Sequence, residues 1–153
     1  YIPTEYIANE YQKLDIYKRI AAIETDEEAE EMLEELIDRF GEPPKSVQNL
    51  LVIARMKATA HEVYITEIKQ TEDILKITLF ERAKIKPEMI PVLVSQNAPG
   101  MSFTADTKTP YFSYRMKVNS REKNMDVLEI LKKILEDMKI LKEISCQISG
   151  KQL

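Results

Sequence analysis

The side chains best placed to do chemistry lie between residues 26 and 41. Glu28, Glu31, Glu35, Asp38 and Arg39 recur there at intervals of three and four, so a helix of 3.6 residues per turn gathers them within about a third of its circumference. The like-charged pairs Glu31/Glu35 and Glu35/Asp38 repel by about 0.2–0.5 kcal/mol each, offset in part by the Glu35/Arg39 pair. Such a group could do acid–base work, as with paired acids Glu34 and Asp38, or could meet a charged surface. Acid–base work needs a pocket and supporting groups, and none can be named here. Glu31, Glu35, Asp38 and Arg39 therefore read as a candidate protein-interaction face, although an ordinary solvated face carries the same pattern.

The remaining candidates are plainer. His61 falls on the apolar face of its helix without a partner and reads as a packed or half-exposed structural histidine. Cys146 reads as a buried, inert thiol. Tyr1, Tyr6, Tyr11 and Tyr17, near Lys18 and Arg19, could stack on bases, but their helical spacing points to core and staple roles. The sequence lacks a glycine-rich phosphate loop, a Cys/His metal spacing and a Gly-x-Ser-x-Gly elbow. No catalytic, cofactor or metal residue is assigned, and the chain reads as a non-enzymatic module.

The elements that carry these residues are clearly marked. Asn9 is a cap for a first helix over 9–23, with Tyr11, Leu14, Tyr17, Ile20 and Ala21 as its apolar stripe. Thr25 starts a second, with Asp26, Glu27 and Glu28 at the positive end of its dipole. Its stripe is Ala29, Met32, Leu33, Leu36, Ile37 and Phe40, opposite the acidic face, and Gly41 with Pro43-Pro44 ends it. A third helix begins near Pro44 and carries Val47, Leu50, Leu51, Ala54, Ala58 and His61 along one face.

Beyond Glu62 the period changes to two. Residues 64–69 and the Leu75-Ile77-Leu79 alternation predict a hairpin turning at Thr71-Glu72-Asp73. A short helix over 86–96 must accommodate Pro91. Strands are expected over 101–105 and 111–118, the latter with Phe112, Tyr114, Met116 and Val118 facing one way. A long helix over 124–142 carries two apolar stripes. The fold class is α+β: N-terminal helices, then a small antiparallel sheet with helices packed on one face, in a single domain over 1–153. The helical part covers about 9–62 and the sheet part about 63–153.

Composition sets the frame for these elements. At 153 residues, 44% of them hydrophobic, the chain is long enough for one compact core. Its 22 basic residues are scattered among 26 acidic ones, which argues against strong phosphate-backbone binding. A single cysteine forms no internal disulfide, and no run is apolar enough to span a bilayer, so a reducing cytoplasm and no membrane partner are expected. A chain opening at Tyr1 is expected to be a domain of a larger protein.

Taken together, Tyr1-Ile2-Pro3, Tyr6-Ile7, Leu14, Tyr17-Lys18-Arg19, Glu35-Leu36-Ile37-Asp38-Arg39-Phe40-Gly41, Pro44, Val47, Asn49-Leu50-Leu51 and Ala54-Arg55 resemble the C-terminal domain of bacterial transcription-repair coupling factors. The match covers the first 60 residues; beyond Glu62 it rests on element order. Two features depart from the family: Thr4 stands where an acidic residue is common, and residues 60–64 contain no glycine where the family usually leaves its third helix through one.

The resemblance implies a parent that is an ATP-driven double-stranded DNA translocase. Such a parent dislodges RNA polymerase stalled at lesions and recruits excision repair through UvrA. This domain would hold none of that machinery. It would be an autoinhibitory lid, docked through Glu35, Asp38 and Arg39 on the N-terminal UvrB-like module and masking its UvrA-binding surface. The alternative is a nucleic-acid or polymerase-contacting module using Lys18-Arg19, Arg55, Lys57 and Arg115-Lys117.

Overall fold

The structure is a computed structural model that describes residues 1–83, 85–105, 108–116 and 127–151. Its architecture is α+β, and its residues gather into two compact units, 1–59 and 60–153.

In the first unit, α1 spans Glu10–Ala21, α2 spans Asp26–Phe40, and α3, Lys45–Glu62, begins. Both expected caps form: Asn9 Oδ1 accepts from the Gln12 amide at 3.0 Å, and Thr25 Oγ1 accepts from the Glu28 amide at 3.1 Å. The Glu28 carboxylate accepts from the Glu24 amide at 2.8 Å, so it serves the helix start, not the acidic face. Pro44 opens α3, its carbonyl accepting from Val47 and Gln48. The core joins Ile16 and Ile20 of α1, Ala29, Met32 and Leu36 of α2, and Val47, Leu51 and Ala54 of α3 with Ile2 and Ile7.

The stripe expected for α1 is corrected. Tyr11 is 87% exposed, Leu14 52% exposed and Ala21 exposed, whereas Ile20 is buried as expected and Ile16, outside the expected stripe, is buried with it. At about 100° per residue Tyr11 lies roughly 140° around the helix from Ile16, and only one of the two competing stripes can face the core. Tyr6 and Tyr17 do pack against the core, while Tyr1 and Tyr11 are exposed. Likewise Ile37, at the edge of the α2 stripe, is exposed.

The second unit begins at the last turn of α3. β1, Ile65–Thr71, and β2, Ile74–Leu79, form the expected hairpin, turning at Glu72 and Asp73 with Glu72 at φ 55°. β3, Met101–Thr104, pairs with β4, Tyr111–Arg115, and the fully antiparallel sheet has the order β1-β2-β4-β3. Leu75, Ile77, Leu79 and Phe112 share its buried face, with Ile77 opposite Phe112 and the Phe103 ring 4.8 Å from that of Phe112. The fourth helix, α4, spans Met89–Gln96 and not 86–96, because Pro91 is tolerated only in a first turn, where its missing amide has no partner to lose. The fifth, α5, spans Val127–Lys151 and so runs nine residues past the expected end at Lys142. It buries Leu131, Ile134, Leu135, Met138 and Leu141. The expected start of this helix at 124–126 and the expected strand residues 117 and 118 lie outside the described residues.

Candidate functional site

The C-terminal half of α2 is held from two sides. Tyr6, ahead of α1, donates its hydroxyl to the Gly41 carbonyl at 2.8 Å, with the Leu36 carbonyl at 3.2 Å, and its ring lies 5.8 Å from that of Phe40. It thereby satisfies a carbonyl that the helix end leaves without an internal donor. Burial, and then the charge of Glu42, raises the Tyr6 phenol above its ordinary 10.0, which keeps it a protonated donor. Gly41 ends the helix as expected, at φ 83° and ψ −171°, an extended conformation open to glycine and distinct from the left-handed helical one, and its amide closes the helix onto Ile37 O at 2.9 Å.

The second hold comes from α1. Arg19 grips Glu35 with both terminal guanidinium nitrogens, Nη1 to Oε2 at 2.5 Å and Nη2 to Oε1 at 2.9 Å. Arg39 Nη1 donates to the same Oε2 at 3.2 Å, and its guanidinium lies 4.8 Å from the Phe40 ring centroid. The hydrogen bond from Arg19 is the main cause that lowers the Glu35 pKa below its ordinary 4.5, opposed by desolvation and reinforced by Arg39. Reciprocally, the bond to Glu35 raises Arg19.

These contacts divide the four candidate residues. Glu31, Asp38 and Arg39 are exposed, as expected for a docking face. Glu35 and Arg39 are about equally exposed, with 34% and 37% of the side chain accessible, and Glu35 differs in being turned toward α1. The reason is its partner, because Arg19 of α1 takes both of its carboxylate oxygens. Arg19, grouped with Lys18 as a possible nucleic-acid contact, belongs to this cluster instead. The only signal in the sequence was a basic last turn, Lys18-Arg19, on the helix preceding an acidic one, and 16 positions separate the partners.

Three arginines of the alternative reading have acidic neighbours, Arg19 being the partner of Glu35. Arg55 lies 4.0 Å from Glu30 and Arg115 lies 3.9 Å from Asp73, and Lys117 is outside the described residues. His61 is exposed and not on the apolar face; the buried position beside it is Ala60. Cys146 is also exposed, not buried, at the rim of an apolar cleft of about 340 Å³ in the second unit, lined by Met89, Leu93, Phe112 and Met138. Among the described residues no His/Cys/Asp/Glu group could hold a metal ion, and no helix is long and apolar enough to cross a membrane.

A family model described as the TRCF domain matches residues 1–90. The transcription-repair-coupling factor of Bacillus subtilis (strain 168) is 34% identical over 141 residues, 91% of this chain and 12% of that protein. That of Staphylococcus aureus (strain USA300) is 43% identical over 83 residues, 54% of this chain and 7% of that protein. The chain thus spans a small fraction of the length of these relatives. Among solved structures, the crystal structure of the C-terminal domain of a transcription-repair coupling factor superposes with a TM-score of 0.76 at 26% identity, covering 94% of this chain and 88% of that one.

Proposed function

The chain belongs to the TRCF domain family of transcription-repair-coupling factors, and we propose that it acts there as an autoinhibitory lid. In this reading the outer face of α2 docks on the UvrB-like module of the same protein and masks the surface that module offers to UvrA. The parent is read as an ATP-driven translocase on double-stranded DNA that releases stalled RNA polymerase and recruits excision repair. The present domain supplies the regulation and not the chemistry.

One observation carries the proposal: exposed Glu31, Asp38 and Arg39 stand on a helix whose end is anchored by Tyr6 and Arg19, side chains from outside it. A preordered charged face loses little entropy on docking. Charge complementarity sets register and specificity more than raw affinity, which suits a contact that must open. A partner in the same chain is present at high effective concentration, so a weak contact is enough to keep the lid closed.

The test is charge reversal where the fold does not depend on the charge. The double variant Glu31→Lys, Asp38→Lys is expected to keep the wild-type melting temperature and circular dichroism. Its affinity for the UvrB-like module, read by calorimetry, should fall by at least roughly tenfold. Wild-type affinity in a folded double variant would remove the α2 face as the docking site.

A further inference from the structure

The cluster on α2 contains two arginines and one glutamate whose roles differ. We infer that Arg19 is a positioning residue of the docking face, gripping both oxygens of Glu35 so that Glu35 in turn holds the Arg39 guanidinium toward the partner. The inference rests on the lid reading above and changes what that reading asks of each residue.

The geometry is that of a relay. Arg19 takes Oε1 at 2.9 Å and shares Oε2 with Arg39, which stands at 3.2 Å. A carboxylate engaged through both oxygens by a planar fork has one orientation, which a single ammonium contact would not impose. Arg39 is thus braced from two directions, by Oε2 and by the Phe40 ring at 4.8 Å, while remaining exposed. Asp15, whose Oδ2 lies 3.8 Å from Arg19 Nη1, supports the gripping residue from its own helix. Glu35 is therefore the internal hub, and its negative charge is spent on two arginines before a partner arrives. The face offered outward is a fixed guanidinium beside the free carboxylates of Glu31 and Asp38. The matching partner surface carries basic side chains for those two acids and an acceptor oxygen, carboxylate or carbonyl, for Arg39.

The experiment compares Arg19→Lys with Asp38→Lys, each titrated with the UvrB-like module over a range of pH, and follows the Arg39 guanidinium signals by NMR. Arg19→Lys keeps the charge and removes the fork. The expected result is roughly tenfold weaker docking, the size of one lost interface contact, with shifted Arg39 signals and little change in melting temperature, since exposed ion pairs add little to stability.

The pH profile supplies a readout that a merely structural pair would not move. Glu35 faces Arg19 and Asp15 of α1 and stands among Glu31, Asp38 and Arg39 of its own helix. Its folded pKa is lowered, so the Glu35 carboxylate, followed directly by NMR, keeps its charge as pH falls to its ordinary 4.5 and takes its proton below it. Without the fork that midpoint moves upward. Wild-type docking and an unmoved midpoint in Arg19→Lys, with docking lost in Asp38→Lys, would overturn the positioning role and leave the lid reading standing. Unchanged docking in both variants would overturn both. If Arg19→Lys melts at the assay temperature, unshifted Arg39 signals in its folded fraction at lower temperature would equally overturn the positioning role.

Discussion

α2 and α3 both end just before a residue with positive φ, and they secure it by opposite means. α2 ends at Gly41, φ 83°, where a Cβ would meet nothing within 4 Å; the position is restricted by backbone conformation alone. α3 gives way after Glu62 to Tyr64 at φ 65°, a conformation that costs a residue with a side chain about 1–2 kcal/mol. Tyr64 is held there by its surroundings: its amide donates to His61 O at 3.2 Å, its carbonyl accepts from the Phe80 amide at 2.8 Å, and Lys142 Nζ lies 5.1 Å from its ring centroid. Each exit also borrows a distant donor for a carbonyl. Tyr6 serves Gly41 from 35 positions away, and Lys142 Nζ serves Glu62 O at 2.6 Å from 80 positions away. A helix can therefore be ended by omitting a side chain or by packing one. Residues 60–64 contain no glycine, and α3 takes the second solution.

Substitutions at three positions probe this comparison. Gly41→Ala should have the largest effect, a loss of about 1–3 kcal/mol of stability in denaturant titration, because the added Cβ meets only backbone strain and nothing it could pack against. A neutral result would mean that the Gly41 conformation relaxes freely. At Tyr64, both Tyr64→Ala and Tyr64→Gly give up the ring contacts, but glycine also relieves the positive φ. Tyr64→Gly should therefore be more stable than Tyr64→Ala by about 1–2 kcal/mol, and equal stabilities would show that the ring, not the backbone, dominates this exit. Tyr6→Phe should have the smallest effect, about 1 kcal/mol, since it removes the hydroxyl donor but keeps the ring beside Phe40. Its amide exchange should quicken at the end of α2 and not at its start.

Much of the fold was legible because the signals are local. Asn9 and Thr25 cap within three residues of their own position, Gly41 ends a helix, and Leu75, Ile77 and Leu79 alternate as a half-buried strand must. The acidic face was equally legible, since Glu31 and Asp38 differ by two turns of one helix. The errors arose where two local patterns competed or a distant group intervened. The α1 helix could have buried Tyr11 and Leu14 or Ile16 alongside Ile20, and only α2 and α3 decide between them. His61 and Cys146 carried apolar neighbours in sequence but end on exposed surface.

By itself the sequence determined where α1 and α2 start, where α2 stops, the β1–β2 hairpin and the charged character of α2, because caps, turns and helical spacing act over at most four residues. The tertiary structure decided that β4 lies between β2 and β3, that Tyr6 and Lys142 close helix ends, and that Glu35 becomes the shared partner of Arg19 and Arg39. Those outcomes depend on which surfaces meet after the chain has returned on itself, and no spacing along the chain encodes that meeting.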